Sequence, residues 1–114
     1  MGVVHYKISL MKGLIFYIRN NDFASLCQIL QQNNVEGISH FDINGRGKLK
    51  REEIEQMTEV YRTGKKFIPE FVSRKRVEVV VKDSDSHKII EDVRKSAEIQ
   101  GKVFVHDISE SMDL

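Results

Sequence analysis

The chain has 114 residues, 40% hydrophobic and 31% charged, with a formal net charge of +1. That length specifies one domain, and the balance is that of a packed chain rather than a disordered one. So small a charge disfavours a general nucleic-acid binder, and a single cysteine, Cys27, excludes a disulfide framework and fits a reducing compartment.

Residues 1–10, MGVVHYKISL, form an N-terminal extension with some strand character in Val3, Val4, Tyr6 and Ile8. The basic, apolar and small-residue order of a signal peptide is missing, and no apolar run reaches 18 residues, so a cytoplasmic chain without membrane insertion is expected. Met11 to Arg19 reads as the first strand. Leu14, Phe16 and Ile18 alternate onto one face, Ile15 and Tyr17 onto the other. A strand apolar on both faces requires cover on both. Asn20, Asn21 and Asp22 offer helix N-caps. Phe23, Leu26, Cys27 and Leu30 then fall on one face of a helix that stops near Asn33 and Asn34. On that face Cys27 reads as a small buried hydrophobe.

Gly37 to Asn44 is the second strand, with imperfect alternation of Ile38, Phe41 and Ile43. A long polar stretch follows, carrying seven Lys or Arg between Asp42 and Lys66. Loops of that length inside a compact domain are usually functional or disordered, and function is the expectation here. A helical turn or two is expected over Glu52 to Val60. Pro69 rules out a central strand at its position. Arg74 to Lys82 is the clearest strand, with Val77, Val79 and Val81 on one face and Arg74, Arg76, Glu78 and Val80 on the other. Asp83 to Ser86 reads as a turn and cap. Ile89, Ile90, Val93 and Ala97 stripe a second helix, Gly101 stands at its end, and Lys102 to His106 is the fourth strand. The tail, 109–114, is polar.

The order βαββαβ specifies an α+β, ferredoxin-like sandwich: a four-stranded antiparallel sheet with two helices on one face and a long loop between strands 2 and 3. The helix-free face carries Ile15, Tyr17, Val80 and Phe104, too apolar to face water, so a partner subunit is expected over it.

Gly45, Gly47 and Lys48 could present N–H groups and a cation to a phosphate, or simply form a turn that needs glycine. Arg74 and Arg76 could line a site for an acidic metabolite, or begin a solvated strand. Gly101 and Lys102 could meet a ligand anion, or cap a helix and begin a strand. Tyr61 and Arg62 could anchor a partner, with Tyr61 open to modification, or be an ordinary exposed loop pair. His5, His40, His87 and His106 are scattered, so no metal site is expected within one chain. No nucleophile, base and orienter stand together, so no enzyme is expected. The aromatic pattern of an RNA-binding sheet is absent from the last two strands.

From Met11 to Ile108 the chain resembles the PII signal-transduction family. The resemblance rests on Val35-Glu36-Gly37-Ile38-Ser39, Gly45-Arg46-Gly47-Lys48-Leu49-Lys50, Thr58-Glu59-Val60-Tyr61-Arg62, Val77-Glu78-Val79-Val80-Val81 and Gly101-Lys102-Val103-Phe104-Val105, in the family's order. It implies a cytoplasmic homotrimer that binds an adenine nucleotide in clefts between subunits and docks a T-loop, here about 48–66, onto a transporter or enzyme. No covalent cofactor is implied; the effector would be ATP, ADP, AMP or a cyclic nucleotide. Related PII-like proteins tied to metal efflux or bicarbonate uptake make a metal- or ion-handling trimer the alternative. The chain also departs from the family. The B-loop that wraps phosphates is shortened to Ser96–Gln100 before Gly101 and Lys102, the C-terminal arginine pair is missing, Leu49 replaces a glutamine, and the T-loop is longer. Weak nucleotide binding, or none, is therefore expected.

Overall fold

The structure, a computed structural model, describes residues 10–45, 59–60, 65–66 and 72–114. Its elements are β1 (Met11–Arg19), a 3-10 turn (Asn20–Asp22), α1 (Phe23–Gln32), β2 (Ile38–Gly45), β3 (Glu59–Val60), β4 (Lys65–Lys66), β5 (Val72–Lys82), α2 (Asp83–Lys95) and β6 (Gly101–Ile108). All but Leu10 of the expected extension at 1–10, the segment 67–71 with Pro69, and most of the polar loop lie outside the described residues.

Four strands form one antiparallel sheet in the order β2-β5-β1-β6. The alternation of β1 and β5 is realised as read. Leu14, Phe16 and Ile18 meet Val77, Val79 and Val81 beneath Leu26 and Leu30 of α1 and Ile89 and Val93 of α2. Each fully buried side chain of this size contributes about 1.5–3 kcal/mol. Cys27, expected to be buried, is only half-buried, and burial pushes its thiol up, away from the reactive thiolate. The broken alternation of β2 follows from its place at the sheet edge. Ile38 reaches the core, while His40 lies against the Phe23 ring at 4.7 Å and Asp42 pairs with Lys75 at 2.5 Å.

Helix α1 ends as expected. Asn34 takes φ +62°, its N–H donates to the Gln31 carbonyl, and the Val35 N–H donates to the Leu30 carbonyl. That is a Schellman closure, and buried Val35 packs beside Leu30 to complete it.

Four readings are corrected. Asp22 makes no capping hydrogen bond; its carboxylate has gone to other donors. Asp83 to Ser86 is no separate turn but the first turn of α2, where Asp83 and Asp85 complement the helix dipole and the Ser86 hydroxyl donates to the Asp83 carbonyl. Gly101 does not cap α2, which stops at Lys95; it opens β6. The end of 52–60, read as able to form a helical turn or two, is strand: Glu59–Val60 pairs antiparallel with Lys65–Lys66, while 52–58 lie outside the described residues.

Candidate functional site

The strand directions bring the candidate residues to one end of the sheet. Gly45 closes β2 opposite Val72. Arg74 stands two residues into β5, opposite Ile43 on one side and Arg19 on the other. Arg76 and Lys102 flank Tyr17, and Gly101 lies opposite Ile18. The same end launches residues 46–71, which leave from Gly45 and return at Val72. Gly47, Lys48, Tyr61 and Arg62 lie outside the described residues, although the β3–β4 ladder brackets 61–64.

Only some of these groups meet within one chain. Gly45 lies under Arg74, where a Cβ would come within 3.6 Å of Arg74 Cδ and Nε. Arg76 reaches across β1, its guanidinium 5.8 Å from the Tyr17 ring centre, with Nη2 held by Glu78 at 2.5 Å. Tyr17 meets Phe104 edge to face at 5.7 Å, and Lys102 Nζ sits 5.3 Å from the Phe104 ring centre. A ladder thus runs Arg76, Tyr17, Phe104, Lys102 across three strands, with both cations resting on aromatic faces. Gly45 and Lys102, by contrast, lie on opposite edges, three strand spacings or about 14 Å apart across the sheet and offset along it as well. A ligand touching both would have to span the sheet, or take one group from a second copy.

The electrostatics single out Arg74. It is 7% exposed. Burial pulls its pKa down, and the neighbouring Arg19 charge adds to the effect. A guanidinium stays protonated even so, so Arg74 is a desolvated cation beside another cation. Among the described residues no carboxylate pairs with it. Arg76 Nε is likewise buried without a hydrogen-bond partner among the described residues. Both favour an oxyanion.

Sequence reasoning missed Asp22. Arg19 Nε and Nη2 donate to its two oxygens at 2.8 and 2.9 Å, and the Gln100 N–H donates to Oδ2 at 3.0 Å. The spacing of Arg19 and Asp22, three residues apart, was the one available signal; Gln100 lies 78 residues away. It also missed the close approach at Gly13, where a Cβ would strike the His106 imidazole at 2.2 Å.

The helix-free face carries Phe41, Val80 and Phe104, each about half exposed at 47–49%, beside the partly buried Ile15 and Tyr17. Among the described residues there is no group of three or more metal-ligating side chains. No described helix is long and apolar enough to cross a membrane.

The sequence profile of the family described as Nitrogen regulatory protein P-II matches residues 11–114. The chain is 31% identical over 104 residues to the Nitrogen regulatory protein P-II of Rhizobium meliloti (strain 1021), covering 88% of each chain. It is 32% identical over the same length, again with 88% of each covered, to that of Mesorhizobium japonicum. To the Nitrogen regulatory protein P-II 2 of Methanothermobacter thermautotrophicus it is 26% identical over 104 residues, 88% of this chain and 85% of the other. The chain belongs to the P-II family, whose members are regulatory proteins.

Proposed function

We propose that this P-II family chain is a cytoplasmic homotrimeric regulator. It senses a small anionic metabolite at the sheet end holding Gly45, Arg74, Arg76, Gly101 and Lys102, joined by Gly47 and Lys48. It controls a transporter or a metabolic enzyme through residues 48–66, with Tyr61 and Arg62 at the contact. One observation carries the reading: the buried, charge-crowded Arg74 lies at the same end of the sheet from which the long connection departs. An anion held there would touch the root of that connection, so occupancy can bias its shape. The half-exposed Phe41, Val80 and Phe104 supply an apolar face of the kind that copies of a chain cover.

A thermal-shift panel of ATP, ADP, AMP, a cyclic nucleotide, 2-oxoglutarate, bicarbonate and divalent metals tests this directly. A bound effector at 100 times its Kd adds about 2.7 kcal/mol of apparent stability. The expected result is a shift with one anionic ligand, weak for ATP, and lost in Arg74→Ala. A response to metal alone would favour ion handling instead. A silent panel, or a monomer by light scattering at micromolar concentration, would refute the proposal.

A further inference from the structure

Strand β5 outruns its outer neighbour. β1 pairs with it from Arg74 to Lys82, but β2 pairs only from Val72 to Val79, because β2 begins at Ile38. Val80, Val81 and Lys82 therefore have no strand beside them on the β2 side among the described residues. Successive residues of a strand turn their N–H and C=O groups to alternate sides, so at least one of the three directs a donor and an acceptor into that notch. A cleft of about 630 Å³ occupies it, lined by Met11 and Val80, by Asn34 and Glu36 of the α1–β2 connection, and by Asp85 of α2. A second hollow of about 340 Å³ shares Asn34 and Glu36 with it and continues to Ile38. Space of this size takes a ligand or a peptide rather than a water or two. The notch is apolar where Val80 is 49% exposed. It is also acidic: Lys88 is paired with Asp92 and Asn33, which leaves Glu36 and Asp85 against Lys82, and neither carboxylate has an ion pair among the described residues.

We propose that residues 1–9 of this chain fill the notch: they turn over the end of β5 and lay Val3 to Tyr6 along Val80, Val81 and Lys82 as a short added strand. The first argument is where that segment ends. Leu10 is fixed beside the end of β5, its carbonyl accepting from the Asp83 N–H, and Met11 opposite Lys82 already lines the cleft. The notch lies two strand spacings from β1, about 10 Å. About three residues cross that distance, and nine extended residues reach about 30 Å, so Lys7 to Ser9 make the crossing and Val3 to Tyr6 remain for the edge. The second argument is complementarity. Val3, Val4 and Tyr6 are strand formers with apolar surface for Val80, and the only ionisable side chains in 1–9, His5 and Lys7, are basic and meet an acidic cleft. An open strand edge invites pairing with other chains, and this strap covers it from within. The inference is independent of the sensing reading, because Arg74 lies toward the other end of β5.

The test compares the full chain with a chain lacking residues 2–8 by NMR, reading nuclear Overhauser contacts and amide hydrogen exchange. In the full chain, Val4 or Tyr6 is expected to show contacts to Val80 or Val35. The outward-facing amide among Val80–Lys82 is expected to exchange about tenfold or more slowly than in the deleted chain. Val79, flanked by strands on both sides, is the control for overall stability and should exchange equally in both. If the deleted chain does not fold, Val4→Pro, which removes an N–H donor and fixes the backbone, is read the same way. Equal exchange at Val80–Lys82 in the full and altered chains, with no contact from residues 1–9 to the notch, overturns the proposal. Protection that survives the deletion but disappears on dilution gives the edge to a second copy and overturns it as well.

Discussion

Substituting Gly101 by alanine separates a steric role from a ligand role at a residue whose sequence context fits either. Gly101 has φ +155°, which L side chains rarely adopt, and an added Cβ would lie 1.9 Å from the Tyr17 carbonyl oxygen and 3.0 Å from Ile18 Cα. Both obstacles are backbone atoms of the strand next to it, so β6 must move away from β1 by more than 1 Å. Forced backbone shifts of this kind cost about 1–3 kcal/mol, and the unfavourable φ adds about 1–3 kcal/mol. The sum is about 2–6 kcal/mol, and even about 3 kcal/mol is a large share of the ~5–15 kcal/mol that holds a domain together. With an m-value of about 1.5–2 kcal/mol/M in urea, the unfolding midpoint should fall by about 1.5–2 M. Gly13→Ala is the control. It too adds one Cβ to a tight contact, but the atoms it meets belong to the exposed His106 imidazole. That ring can turn aside for about 0.5–1.5 kcal/mol. Equilibrium unfolding of both variants by circular dichroism decides the matter. If Gly101→Ala stays within 1 kcal/mol of wild type, the close approach does not govern that position, and the glycine is held for ligand contact instead.

Stability should fall as pH drops below about 4, because hydrogen bonds from Lys75 to Asp42, and from Lys88 and Asn33 to Asp92, hold both carboxyls below their ordinary values. Lys12 is the opposite case. Its hydrogen bond to Asp107 raises its pKa, so its contribution is full below the unfolded value near 10.4 and is lost as pH rises through the folded one. Urea midpoints at pH 3, 7 and 11 would show a maximum between the two limits. At Asn34, φ +62° predicts that Asn34→Gly is neutral within a few tenths of a kcal/mol and that Asn34→Val loses about 1–2 kcal/mol, read by thermal melting.

What the sequence revealed was periodic, and what it hid was long-range. Leu14, Phe16 and Ile18 against Val77, Val79 and Val81 needed only period two. The Asn33–Asn34 stop needed only local backbone preference. Alternation also placed Arg74 and Arg76 on one face correctly, yet it could not show that Arg74 is buried. That burial depends on Ile43 and Arg19 flanking it from two other strands. Asp22 has the local chemistry of a cap, but an amide 78 residues away and a guanidinium fork compete for its carboxylate and win. Gly101 looked like a helix terminator because the cross-strand approach to Tyr17 leaves no mark on residues 96–101.

The same distinction bears on residues 46–71. β2 and β5 are antiparallel neighbours whose ladder closes at Gly45 and Val72, a geometry that a two-residue turn would serve. By the loop-closure relation, replacing such a turn with residues 46–71 costs about 2 kcal/mol. The buried apolar core of the described residues lies wholly within 14–35 and 77–93. Deleting residues 50–62 halves the loop and should stabilise the chain by about 0.6 kcal/mol, a rise of roughly 2–4 °C in Tm. Partner capture should vanish at the same time, with Tyr61→Ala alone costing about 2 kcal/mol of binding. A deletion that lowers Tm by 5 °C or more would make the segment part of the folded core. A deleted chain that still captures the partner would show that regulation leaves by another surface, and the half-exposed row of Phe41, Val80 and Phe104 would then be the place to look.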